Sequence, residues 1–193
     1  LFRSNLRCGE FNDWVLAQIS ALPADLPVVV VNRSSGYVFG NNHIPGAAVT
    51  PPSIYFDEPA PTEVSEEFLR SYRQRLVDSA CTLARQRPVY LVRPFPEMTV
   101  GVAKTAARKL LLGKPVEIAI SLEDYHARHG FIWAAQDAAK DACGVEILNP
   151  LPGLCRDGRC RGTADGRPRY YDDNHLSEFG NRALIEMCRS VKT

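Results

Sequence analysis

The residues best equipped for chemistry lie near the end of the chain, in Arg169-Tyr170-Tyr171-Asp172-Asp173-Asn174-His175-Leu176-Ser177. Asp172 precedes His175 by three positions, just ahead of a stretch with helical periodicity. At that spacing a carboxylate and an imidazole can share one wall of a cleft. The carboxylate then orients the ring and stabilises it once charged, as a general base for nucleophilic attack requires. After His175, apolar Leu176, Phe179, Ala183, Leu184, Met187 and Val191 recur at helical spacing. The pair is expected at a loop-to-helix junction, with Ser177 or Asn174 as N-cap. Read without chemistry, Asp173, Asn174 and His175 are simply polar caps of a surface helix. Spacing alone does not choose between the two.

The elements that must position this turn alternate along the chain. Residues 10–21 read as a helix with Phe11, Trp14, Val15, Gln18 and Ile19 on its face, ended by Pro23. Leu26-Pro27-Val28-Val29-Val30-Val31 is a short β-branched run, the mark of a buried parallel strand, and it ends at Asn32-Arg33-Ser34-Ser35-Gly36. Residues 40–62 carry many of the prolines and predict a long loop. Ser65 can cap a helix that runs to Arg85 with an inner stripe of Phe68, Leu69, Tyr72, Leu76 and Ala80. Val89-Tyr90-Leu91-Val92 is the second strand, running into Arg93-Pro94-Phe95-Pro96-Glu97. A helix with basic residues outward follows at 99–112, broken by Gly113-Lys114-Pro115. Ser121 to Cys143 is helix-rich, Gly144 to Leu148 is the third strand, and Cys155 to Tyr171 is an excursion before the final turn and helix. This alternation predicts an α/β fold, three-layer α/β/α with a parallel sheet. Ligands of such sheets bind beyond the carboxyl ends of the strands. There Asn32, Arg33, Arg93, Glu97 and Asp172 to His175 collect.

Composition fits one domain over residues 1–193. With 193 residues, 45% hydrophobic and 23% charged, the chain can build a core. A net charge of +1 gives no electrostatic ground for a nucleic-acid partner or an acidic membrane surface. No apolar run reaches the roughly 18–20 residues that span a bilayer. The first residue is Leu1, and the chain is read as a trimmed or excised piece of a longer one. Cys8, Cys81, Cys143, Cys155, Cys160 and Cys188 lack the paired spacings of a zinc site and lean towards an oxidising compartment. Cys155 and Cys160 flank an Asp157-Gly158 turn and are expected to pair. The other four read equally well as buried thiols.

Tyr171-Asp172-Asp173-Asn174-His175-Leu176-Ser177, followed by Gly180, resembles the C-terminal catalytic block of SGNH hydrolases. It is more closely similar to the SGNH domain appended to acyltransferase-3 proteins, bacterial O-acetyltransferases of surface polysaccharides. The likeness extends through Leu154 to Cys160, Asp165-Gly166-Arg167-Pro168, Pro94 to Met98 and Val28 to Arg33, and covers most of the chain. It implies an SGNH/flavodoxin-like sheet and a Ser-His-Asp mechanism in which Asp172 and His175 are two members of the triad. The family's Gly-Asp-Ser nucleophile block is missing from this sequence. The fold is therefore expected to be incomplete on its N-terminal side, with the serine upstream. An upstream membrane-embedded acyltransferase domain and the serine-bearing segment are then the implied protein partners, a cell-envelope glycan the acceptor, and the periplasm the location. An upstream serine strand would lie beside Val28–Val31; without it that strand presents an open edge, so the chain is expected to stay associated with an N-terminal segment or to fill the gap by pairing with another chain. No cofactor or metal is needed for such acyl transfer.

Several further residues admit two readings. Ser34 and Ser35 lie at a strand end but outside any Gly-x-Ser-x-Gly elbow, and read as turn serines. By the same resemblance Asn32 is a candidate oxyanion donor, although Val31 precedes it where the general motif differs. Arg33 can orient a sugar or acyl group, or form a structural ion pair. His126 and His129, with Asp124, share a helix face and can be metal ligands or a solvated face. Tyr125, Phe131 and Trp133 can be a sugar platform or core. The loop at 36–57, with Tyr37, Phe39, His43, Tyr55 and Phe56, can be an acceptor wall or a packed surface loop. The leading expectation is the SGNH part of a carbohydrate O-acyltransferase. The alternatives are an extracytoplasmic SGNH esterase with water as acceptor, and a non-catalytic glycan-binding or scaffold domain.

Overall fold

A computed structural model describes residues 8–42, 51–57 and 59–192 of the protein. Helix α1 (Cys8–Ala21) leads into strand β1 (Val28–Val30). A short helix α2 (Ser34–Phe39) follows at once, where a plain turn was expected. Residues 43–50, with His43, lie outside the described residues. Ile54 and Phe56, from the expected loop, are buried against Phe68 and Tyr72. Helix α3 (Glu66–Ala84) starts at Ser65, whose hydroxyl accepts the Phe68 N–H at 3.1 Å, and Glu66 and Glu67 favour its positive end. Strand β2 (Val89–Val92) and helix α4 (Val102–Leu111) come next. Strand β3 (Ala119–Ser121) runs directly into α5 (Leu122–Cys143). Ser121 caps α5 by accepting the Asp124 N–H at 2.9 Å, and left-handed Gly144 closes it by donating to Lys140 O. Strand β4 (Glu146–Leu148) completes the pattern.

The sheet is parallel with order β1–β2–β4. All four residues of central β2 are buried, which is why its sequence is an unbroken apolar run. On one face Val89 and Leu91 pack with Ala80 of α3 and Ala139 of α5. On the other, Tyr90, Val92 and Leu148 meet Phe95, Met187 and Val191. Helical segments thus cover both faces, giving the α/β layering. A disulfide between Cys81 and Cys143 ties α3 to the end of α5. Strand β1 is an edge among the described residues, and Val29 on it and Val31 just after it are exposed.

Beyond β4 the excursion is ordered by small antiparallel pairs. Helix α6 (Leu151–Leu154) precedes β5 (Cys155–Arg156) and β6 (Arg159–Arg161), joined by a turn with positive φ at Asp157 and Gly158. Cys155 and Cys160 face each other across it and are disulfide-bonded, while β3 pairs with the other side of β6. Strands β7 (Thr163–Ala164) and β8 (Arg167–Pro168) form a second hairpin. The expected single terminal helix is two, α7 (Glu178–Arg182) and α8 (Ile185–Arg189). The expected stripe is kept across the break: Leu184 is buried, Leu176, Phe179, Ala183, Met187 and Val191 are half-buried, and Ile185, outside that stripe, is exposed. The expected inner face of α1 also differs: Phe11 and Trp14 stack on each other and are exposed, because no described element covers them. Cys81 and Cys143 are bonded rather than buried thiols, and Cys188 is an exposed thiol.

Candidate active site

The turn from Tyr170 to Ser177 is clamped from both flanks by backbone hydrogen bonds. Met98 N–H donates to Asp173 O at 2.6 Å and Val102 N–H to Asp172 O at 2.9 Å, so the start of α4 holds one side. On the other, Tyr171 N–H donates to His175 O and Ser177 N–H to Arg169 O, each at 2.8 Å. Tyr170 is fully buried with Met98, Val102 and Ile118 and anchors the turn in the core. Ser177 is the N-cap of α7, accepting the Gly180 N–H at 3.1 Å. Gly180 is required there: a Cβ would stand 2.1 Å from Arg169 O.

Within the turn, Asp172 divides its two oxygens. Oδ1 accepts the backbone N–H groups of Asn174 at 2.9 Å and His175 at 2.8 Å; Oδ2 lies 2.7 Å from His175 Nδ1. Partial burial raises the Asp172 pKa, but the two backbone donors and the imidazole outweigh it and bring it down to about 2. The carboxylate therefore stays ionised and fixes the proton of His175 on Nδ1, which leaves Nε2 as the basic nitrogen. Sequence spacing thus becomes a bonded acid–histidine pair.

His175 lines a cavity of about 410 Å³ at the carboxyl ends of β1 and β2. Asn32, Arg33, Glu97 and Asn174 line it as well, with Ser35 and His129 deeper in. Ser34 Oγ donates to Asn32 Oδ1, which leaves the amide NH₂ of Asn32 as the available donor. Buried Glu97 accepts from Arg33 Nε at 2.9 Å through Oε1, and from Arg128 Nε at 3.1 Å and Nη2 at 3.0 Å through Oε2. One buried carboxylate is thus shared between two guanidiniums. Arg33 Nη2 stands 4.0 Å from Asp173 Oδ2.

Arg93 does not join this cavity. It is buried against α5, donating to Trp133 O at 2.8 Å and to Gln136 and Asp137, with its guanidinium 4.2 Å above the Trp133 ring. Tyr125 and Trp133 are likewise turned to structure: buried Tyr125 donates to Pro94 O at 2.7 Å and accepts from Trp133 Nε1 at 3.0 Å. His126 and His129 do not act as one ligand pair. His126 is exposed beside Trp133, whereas buried His129 places Nδ1 2.7 Å from Ser35 Oγ. Burial first, then Arg128, His126 and Arg33, lower its pKa to about 3, so it is neutral. Ser34 and Ser35 are buried in the first turn of α2, and among the described residues no serine hydroxyl is bonded to His175. Sequence reasoning missed the Ser35–His129 contact and the part of Arg128. The signal was present: Tyr125, His129, Ile132 and Gln136 form one helical stripe, so His129 had to face inward.

Fold and turn together define an SGNH-type α/β domain. The family model of the SGNH domain fused to AT3 domains matches residues 1–190, and the chain belongs to that family. No curated protein and no solved structure matches the chain. The two disulfides fit an extracytoplasmic domain.

Proposed function

We propose that this is the SGNH domain of a carbohydrate O-acyltransferase that moves an acyl group, such as acetyl, to a cell-envelope glycan. The observation that carries the reading is the 2.7 Å contact from Asp172 Oδ2 to His175 Nδ1 at the rim of the cavity. The nucleophile is a serine on an upstream segment. The edge of β1 supports this: a strand added there would end beside Asn32, at the cavity mouth.

In the first half-reaction His175 Nε2 takes the serine proton while the serine oxygen bonds to the acyl carbonyl carbon. The Asn32 amide stabilises the oxyanion. The donor group leaves with the proton returned by His175. In the second half-reaction a glycan hydroxyl gives its proton to Nε2 and attacks the acyl-serine, and His175 returns that proton to the serine oxygen as it leaves. Asp172 stabilises the imidazolium throughout. Arg33, carried on Glu97, orients the sugar or acyl group. With water in place of the glycan hydroxyl, the same steps make an esterase. An upstream AT3 domain would tether the whole to the periplasmic side of the membrane.

The test joins this chain to its serine-bearing segment. His175→Ala should cut acyl transfer by about 10²–10⁴-fold with the fold intact. Asp172→Asn should lower turnover by leaving the ring without its orienting acceptor. Near-normal turnover of an acetyl ester by a folded His175→Ala protein would remove His175 from the mechanism. Greater sensitivity at Asp173 than at Asp172 would reassign the acid.

A further inference from the structure

The first half of α4 is ordinary. Val102 and Ala106 face inward and are buried with Met98, Ile118 and Tyr170. One turn on, the core has ended and the helix has not. Leu110, Leu111 and Leu112 are 72%, 87% and 62% exposed, side by side. They are not on a frayed end. Gly113, at φ +61°, donates to Leu110 O at 3.0 Å, and Lys114 N–H donates to Lys109 O at 2.8 Å, the paired bonds of a Schellman close. Lys109 Nζ also donates to Glu117 O at 3.0 Å. Three exposed leucines are thus held in place at the end of the helix.

The tip is also cationic. Residues 98–116 contain Lys104, Arg108, Lys109 and Lys114 and no acid. Lys104, Arg108 and Lys114 are exposed, and the next acid, Glu117, is paired with Arg159 at 3.2 Å. An exposed apolar helix end flanked by cations on long stems suits acyl chains beneath an anionic headgroup layer. Among the described residues no helix is long and apolar enough to cross a membrane, so such an element would lie in the interface.

We propose that the C-terminal end of α4 is an interfacial anchor that seats the domain on an anionic lipid bilayer. Its other end bonds the site turn, through Val102 N–H to Asp172 O and Met98 N–H to Asp173 O. At a rise of about 1.5 Å per residue, the helix separates the leucines from that turn by about 15 Å. Seating the tip therefore fixes how far the turn stands from the membrane. The anchor does not depend on the chemistry proposed for His175.

Flotation with phosphatidylethanolamine vesicles, with and without phosphatidylglycerol and at low and high salt, tests it. The protein should float with the phosphatidylglycerol vesicles and be released by salt. Leu110→Ser/Leu111→Ser should weaken binding at least about tenfold. Lys104→Glu/Arg108→Glu should weaken it by a similar factor on anionic vesicles only. All four positions are exposed, so an unchanged melting temperature will accompany the loss. Absence of binding to phosphatidylglycerol vesicles, or binding that the leucine substitutions leave intact, overturns the anchor. Equal binding to neutral vesicles overturns its electrostatic half. Leucine-dependent association with a membrane-embedded protein, with no affinity for protein-free vesicles, overturns it in favour of a protein dock.

Discussion

Mild acid should destabilise the protein through a histidine that the proposed chemistry does not use. Burial first, then the charges of Arg128, His126 and Arg33, hold the folded-state pKa of His129 to about 3, against 6.5 for an ordinary imidazole. The unfolded chain takes up this proton near the ordinary value. Between about pH 6.5 and pH 3 the unfolded state therefore binds a proton that the folded state refuses, and stability falls as pH falls. His129's contribution is complete above pH 6.5 and is lost progressively down to its folded pKa. Each pH unit inside the window is worth about 1.4 kcal/mol. Two units below 6.5, at pH 4.5, the loss reaches about 2.7 kcal/mol, a large share of the roughly 5–15 kcal/mol that stabilises most domains. Asp172 acts with the same sign, but its folded pKa is lowered from 3.8 to about 2, so its effect begins only near pH 4.

Urea unfolding of the wild type and of His129→Gln, at several pH values from 7.5 to 4.5, isolates the effect. The substitution itself costs stability at neutral pH, because Ser35 loses its 2.7 Å partner. The informative quantity is the difference between the two proteins, which should shrink by about 2.7 kcal/mol from pH 7 to pH 4.5. A difference that does not change with pH refutes the argument. So does a His129 imidazole whose NMR signals titrate near the ordinary value in the folded protein.

Glu97→Gln should destabilise the domain by about 3 kcal/mol, measured by urea unfolding, because two guanidiniums lose their shared buried carboxylate. The figure sits at the low end for a broken buried pair because the Arg33 side chain is 31% exposed and can rehydrate. Unaltered stability would show that Arg33, Glu97 and Arg128 are not a structural unit. Gly180→Ala should cost about 1–3 kcal/mol and lower acyl transfer with it, since a Cβ 2.1 Å from Arg169 O must displace the backbone that holds the site turn. A wild-type melting temperature in that variant would show that α7 is not seated as described.

Legibility followed the range of the interactions. Strands β1, β2 and β4 were readable because each carries a β-branched or aliphatic run, although only β2 is buried along its whole length. Helices α3 and α5 were readable because Ser65 and Ser121 sit directly ahead of an apolar stripe. All these signals are local. Strand β3 was missed because Ala119–Ser121 is short and half-buried, and it is a strand only through pairing with β6, forty residues on in sequence. The Cys81–Cys143 bond joins residues 62 apart, and nothing near either cysteine encodes the other. Arg93 was placed with the cavity because it follows a strand; its guanidinium turned instead to the Trp133 face and carbonyl, partners that only the packed helix supplies. In the cavity itself, the contact of Asp172 with His175 follows from a spacing of three, whereas Ser35 and His129 are 94 positions apart.

The same distinction of range bears on how the proposed active site would be completed. Asp172 is held by its own neighbours, Asn174 and His175, and by the first residues of α4; none of these bonds involves β1. Asn32 and Arg33 are held by Ser34 and Glu97, again without a neighbour on the open side of β1. The acid–base half and the proposed oxyanion half are each fixed before any strand pairs with that edge. On the reading proposed here, a serine-bearing strand thus needs to bring only its own backbone hydrogen bonds and one hydroxyl. The geometry it meets is already organised, which is the condition under which a positioned general base is most effective.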